Sequence, residues 1–211
     1  GIADREEHIT LHARFDGLTG LPTRLSALDA LEAAILRAAP AEQPVTVMLV
    51  DLNNFSDIGS SLGHDISDAL RCQAAERLRG GLDARHLLGR IEGDQFVIVL
   101  DGCNVDQATE IAEDLVRLLG GGLSVRDINV SVEARVGIAS FPQHAADAEQ
   151  LLQRAAVARN DARNAGVRIC VYQDGNDGLH LRQMALLGDL RKAARNDEFR
   201  LYLQPKIRLS D

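Results

Sequence analysis

The sequence predicts an α/β (α+β) protein: a central, mostly antiparallel sheet flanked by helices. Three observations carry this. Val45-Thr-Val-Met-Leu-Val50 is an unbroken apolar run ending at Asp51, which suits a strand buried on both faces. Arg90-Ile-Glu-Gly-Asp-Gln-Phe-Val-Ile-Val-Leu100 sets a polar tetrapeptide, Glu92–Gln95, between two apolar arms, the pattern of a β-hairpin with glycine at its tip. Residues 128–138 alternate, with Ile128, Val130, Val132, Ala134, Val136 and Ile138 on one face, as one strand resting on a core does.

The remaining elements follow in order. Residues 1–14 are polar with a few apolar positions and fit the end of an arriving helix. Phe15 to Arg24 holds two glycines, a proline and Asp16, a structured turn anchored by Leu18 and Leu21. Leu25, Leu28, Leu31, Ile35 and Ala38 share a helical face. Asn53 to Asp65 is a polar loop after the buried strand, and Ile66, Leu70, Ala74 and Leu78 form the next helix, with Asp68 on its flank. Val105 to Leu119 and Leu151 to Ala162 give two more amphipathic helices. Gly166 ends the latter, and Val167–Tyr172 is a last short strand. Asp174-Gly-Asn-Asp-Gly178 is a cluster of turn formers and a candidate domain boundary. A helix (Leu186, Leu187, Leu190, Ala194) and a strand-like run (Phe199, Leu201, Leu203) come after it.

Composition narrows the function classes. The net charge is −8 and aromatics are 3% with no Trp, which argues against a polyanion-binding surface or a stacking platform for nucleic acid. Three widely spaced cysteines, Cys72, Cys103 and Cys170, read as packed reduced thiols of a cytosolic protein. No run is long and apolar enough to span a bilayer and no signal-peptide pattern opens the chain, so no membrane contact is expected of it. Both ends read as cut from a longer protein. Phosphate-loop, dinucleotide and esterase motifs are missing from the sequence. Two readings of the hairpin stay open. If it neighbours the first strand, Asp51 and Asp94 face a common region where, with Gly93, they suit Mg²⁺ on a nucleotide triphosphate. Alternatively it is a surface hairpin with a polar turn.

Asp16-Gly-Leu-Thr-Gly-Leu-Pro-Thr-Arg24, Asp51-Leu-Asn-Asn-Phe55, Gly63-His64, Arg90-Ile-Glu-Gly-Asp-Gln-Phe96, Val136-Gly-Ile-Ala139 and Ala162-Arg163 occur in order. Taken together, residues 14–173 resemble a GGDEF domain of the diguanylate cyclase family. Residues 174–211, through Phe199-Arg-Leu-Tyr-Leu-Gln-Pro205, resemble the linker helix and first strand of an EAL domain of the cyclic di-GMP phosphodiesterase family. Residues 1–13 then become the end of an upstream signalling helix. The resemblance implies a fold like that of nucleotide cyclases and polymerase palms. It also implies joining of two GTP into cyclic di-GMP across a two-fold dimer with divalent ions. Residue by residue it implies Asp51 and Asp94 as metal ligands, Asp94 also as the catalytic acidic residue. Gly93, Asp68, Phe55 and Arg163 would form the nucleotide-binding set.

The departures from that pattern are as informative. Glu92 stands at the motif's first glycine and Gln95 at its final acid. Asn53 replaces an Asp, Ser56 a phosphate-facing Lys, Gly59 a guanine-reading Asn, and Val167 a phosphate Arg. The product-inhibition motif reads Asp83-Ala-Arg-His86 and has lost its charges at the needed places. Loss of one well-placed electrostatic contact costs about 2.7–4 kcal/mol at a transition state, and several are gone together. The expectation is a degenerate, vestigial site in a regulatory or dimerising module. Its expected setting is a cytoplasmic, bacterial GGDEF–EAL signalling protein, with its own EAL domain, an upstream sensor module and a second copy as partners. The alternatives are a weak cyclase, or a GTP sensor without turnover that needs Mg²⁺ only when nucleotide binds.

Overall fold

The computed structural model describes residues 14–53, 63–126 and 128–176, with scattered positions between 178 and 202. Its elements are α1 (Arg24–Ala38), β1 (Val45–Leu52), α2 (His64–Gly80), β2 (Leu87–Glu92), β3 (Gln95–Asp101), α3 (Val105–Gly120), β4 (Leu123–Val125), β5 (Ile128–Val130), β6 (Ala134–Phe141), α4 (Ala148–Ala165) and β7 (Ile169–Val171). The main sheet has the order β2-β3-β1-β6-β7. Every pairing in it is antiparallel except β6 with β7. The expected fold class, a mostly antiparallel sheet between helices, is the one found.

The unbroken apolar run of β1 is explained by its position. It is the central strand, and all eight of its residues are buried. Met48, Val50 and Leu52 join Leu70, Ala74 and Leu78 of α2 and Ala108, Ala112 and Leu115 of α3 in one cluster. Val45, Val47 and Leu49 join Ala27 and Leu31 of α1 and Leu151 and Ala155 of α4 in the other. So α2 and α3 cover one face, and α1 and α4 cover the opposite one. Each fully buried Leu or Val contributes roughly 1.5–3 kcal/mol of transfer free energy, and two such layers fix the register of the sheet.

Local chemistry sets the helix ends. Asn104 and Gln107 form a capping box at the start of α3, each side chain bonded to the other's backbone N–H. Asp147 accepts from Gln150 N at the start of α4, and Gly166, at φ 69°, ends that helix in the left-handed conformation that an L side chain resists. The Phe15–Pro22 turn is closed by Asp16, whose Oδ1 accepts from Thr19 N at 2.8 Å and Thr19 Oγ1 at 2.6 Å. Leu21 plugs it into the core at 1% exposure, while Leu18 is only half-buried. Pro22 O then accepts from Arg90 N, which covers part of the open edge of β2.

Two expectations are corrected here. Residues 128–138 do not form one strand. Ile128–Val130 pairs with Leu123–Val125 in a separate two-stranded sheet, and the chain re-enters the main sheet only at Ala134. The strand Leu123–Val125 itself carried no expectation, being only three residues after three glycines. Nor is β6 half-exposed: from Val136 to Phe141 it is buried on both faces, because α4 crosses so closely at Gly137 that a Cβ there would run into the backbone of Ala155 and Arg159.

Two compact units divide at Asp174/Gly175. Within the second, residues 192–195 are helical and the helix closes through Asn196 N to Lys192 O and Glu198 N to Ala193 O. Most of the strand-like run 199–205 lies outside the described residues, as do residues 1–13. Among the described residues no helix is long and apolar enough to cross a membrane.

Candidate active site

The hairpin turns on Gly93 and Asp94 alone, with Gly93 at φ 54°, so Glu92 and Gln95 belong to the strands and not to the tip. Antiparallel pairing sets Asp51 opposite Gln95 on β3 and opposite Arg135 on β6. Leu52 N donates to Asp94 O at 3.1 Å, which brings the hairpin tip to the end of β1. Asp51 and Asp94 therefore reach the same end of the sheet, as the neighbouring-strand reading required.

Each of the two carboxylates is taken by an arginine. Arg163 of α4 donates through Nη2 to Asp51 Oδ2 at 3.2 Å. Arg71 of α2 donates through Nε to Asp94 Oδ1 at 2.6 Å, and through Nη1 to Asp68 Oδ1 at 2.7 Å. Since α2 and α4 lie on opposite faces of the sheet, the two arginines approach its end from opposite sides. The pairs are unequal. Arg163 is 60% exposed, so water screens its contact, whereas the side chains of Arg71 and Asp94 are 17% and 19% exposed. Burial works against the charge of Arg71, but the hydrogen bonds and charges of Asp94 and Asp68 outweigh it and hold the guanidinium above its ordinary pKa.

A third arginine grips the turn. Arg90 donates through Nε and Nη2 to Gly93 O at 3.0 and 2.7 Å, and through Nη1 to both carboxylate oxygens of Asp16. Burial tends to raise the Asp16 pKa, but the bonds from Thr19 and Arg90 prevail and hold it below the usual carboxylate value.

The expected site residues separate accordingly. Asp51, Asp94, Gly93, Asp68 and Arg163 cluster at one end of the sheet, whereas Phe55, Ser56 and Gly59 lie outside the described residues. Arg163 turns to Asp51. Asp68 is about half exposed yet is bound to Arg71, neither a free surface acid nor a free base-reading group. Glu92 is exposed. Sequence reading missed Arg71 and the grip of Arg90 on Gly93 O. The i, i+3 spacing of Asp68 and Arg71 was the available signal, but it says nothing of Asp94 on another element.

Mg²⁺ needs near-octahedral oxygen ligation centred on ionised carboxylates. Here both retained carboxylates already carry guanidinium partners, and Asn53 and Gln95 supply neutral amides. Among the described residues no group of three His, Cys, Asp or Glu side chains is placed to hold a metal ion. As arranged, these residues do not fit the metal that the resemblance implied. The groove of about 700 Å³ beside the hairpin is a separate feature: Arg24, Ile91, Gln95, Gln153 and Arg159 help line it, and neither Asp51 nor Asp94 does.

An antiparallel α/β domain with an acid-bearing central strand beside a glycine-turned hairpin defines the class. The sequence model of the family described as "Diguanylate cyclase, GGDEF domain" matches residues 13–168, and the chain belongs to that family. It is 30% identical over 92% of its length to the bifunctional diguanylate cyclase/cyclic di-GMP phosphodiesterase MucR of Pseudomonas aeruginosa. It is 28% identical over 96% of its length to the cyclic di-GMP phosphodiesterase PdeR of Escherichia coli. The chain spans 29% and 30% of those two proteins. Among solved structures, the GGDEF domain of TpbB (YfiN) from Pseudomonas aeruginosa superposes with a TM-score of 0.76 at 26% identity, covering 79% of this chain and 99% of that one.

Proposed function

We propose that this chain contributes a degenerate, non-catalytic GGDEF domain to a cyclic di-GMP signalling protein, where it serves as a regulatory or dimerising module ahead of an EAL domain. On this reading residues 14–173 are the GGDEF domain, residues 1–13 end an upstream signalling helix, and residues 174–211 begin the EAL domain. The observation that carries it is the state of the acid set. Asp51 and Asp94 are both ion-paired to arginines, and the motif's last acid is Gln95. A two-metal phosphoryl transfer depends on charge stabilisation from metal ions that ionised carboxylates hold, so acids already paired to arginines withhold a large catalytic contribution. MucR, named for both cyclase and phosphodiesterase activities, and PdeR, named for the latter, support a setting with a phosphodiesterase domain.

The test is incubation of the purified chain with GTP and Mg²⁺, with cyclic di-GMP followed by mass spectrometry. The expected yield does not exceed that of Asp94→Ala. Product formed by the wild type and lost in Asp94→Ala would make the domain a weak cyclase and end the proposal. A second reading, a GTP sensor without turnover, draws support from Gly93, whose positive φ leaves no side chain over the turn, and from the retained Asp68. It predicts measurable heat on titrating GTP into the chain in Mg²⁺ buffer.

A further inference from the structure

We infer that Arg71 is the resident counter-ion of Asp94: its guanidinium engages that expected metal ligand together with Asp68 and fastens the hairpin to α2 without metal. This rests on the non-catalytic reading and names the residue that enforces it.

Three observations carry the inference. First, one guanidinium spans two carboxylates from two elements, Asp94 at the hairpin tip and Asp68 on α2, with both contacts at 2.6–2.7 Å. Charge-assisted bonds this short are the strong kind, and the planar fork holds both acids at once. Second, the central pair is sheltered, at 17% exposure for Arg71 and 19% for Asp94. A guanidinium cannot shed its charge, so a metal entering here would meet like charge at contact range or leave Arg71 unpaired in a half-dry place. Third, the tip is held a second time, because Gly93 O accepts twice from Arg90. The turn is thus held by two fixed protein cations.

Arginine removal should therefore create a cation site where none exists. The probe is Mn²⁺ alone, without nucleotide, titrated into the full chain and read by electron paramagnetic resonance. Hydrogen exchange at residues 92–95 provides a second readout. Wild type is expected to show no saturable Mn²⁺ site. Arg71→Leu is expected to gain one. Asp94→Asn in the Arg71→Leu background should abolish it. Arg85→Leu removes the same charge from an exposed turn and should gain nothing. Exchange at the hairpin should quicken in Arg71→Leu and slow again when Mn²⁺ is added, a rescue that a merely structural role would not produce. If Arg71→Leu does not fold, Arg71→Lys keeps the charge and loses the fork: faster exchange with no Mn²⁺ site supports the inference, and unchanged exchange overturns it. A saturable Mn²⁺ site in the wild type that Asp94→Asn removes overturns it too, as does a folded Arg71→Leu with no gain. The two readings fail separately: Mn²⁺ bound without turnover ends this inference alone, and cyclic di-GMP made without a nucleotide-free Mn²⁺ site ends the functional proposal alone.

Discussion

Arg90 Nη1 lies 2.8 Å from Asp16 Oδ1, so residues far apart in sequence join the opening turn to the hairpin. Both side chains are largely sheltered, at 11% and 24% exposure. Replacing Arg90 with Met leaves Asp16 without its charged partner and frees the Gly93 carbonyl. The expected cost is about 2 kcal/mol, within the range for hydrogen bonds to charged groups, measured by urea unfolding.

The same pair gives an acid-limb prediction. The Asp16 pKa is lower in the folded chain than its ordinary 3.8, so below that value the unfolded chain takes up the proton first. The stability due to Asp16 is therefore complete above 3.8 and is lost as pH falls through the lower folded value. Asp16→Asn should be less stable than wild type at neutral pH and should flatten the stability–pH curve in that window.

A second titration acts at milder pH. His144 is 5% exposed, and its Nδ1 accepts from Ser140 N at 2.9 Å, which requires an unprotonated Nδ1. Burial, with Arg154 adding to it, depresses its pKa below 6.5 against the opposing pull of Asp174. Unfolded histidine binds protons first as pH drops, so this stability is present above 6.5 and lost below it. The slope is at most about 1.4 kcal/mol per pH unit. His86 is depressed by burial as well, so His144→Asn should reduce the slope without removing it, as followed by unfolding between neutral and mildly acidic pH.

Gly137→Ala tests the packing of α4 on the sheet. The added methyl meets the backbone of Ala155 and Arg159, which cannot swing aside as a side chain can. The expected loss is about 3 kcal/mol, at the upper end of ordinary overpacking, read as a lower denaturation midpoint.

Asn104→Ala removes one half of the capping box on α3. The expected cost is about 1 kcal/mol, with no change in m-value, because the cap orders an exposed helix end and not the core.

The sheet was legible where burial imposes a simple pattern. The run Val45–Val50 announced a two-faced strand because it is the central one, and the arms of the hairpin announced β2 and β3. The alternation from Ile128 to Ile138 misled because Ile128 and Val130 belong to another, smaller sheet, and a period of two cannot distinguish one long strand from two short ones in phase. The acids of the site were legible as residue types. Their partners were not: Arg71 and Arg163 reach Asp94 and Asp51 from helices, and such pairings depend on helix placement across the sheet.

The two buried clusters contain none of Asp51, Asp68, Asp94 or Gln95. The apolar packing that holds the helices on the sheet and the acids at the sheet's end thus reside in different side chains. Substitution among those acids therefore leaves the apolar scaffold standing. In proteins built this way, shape outlives chemistry.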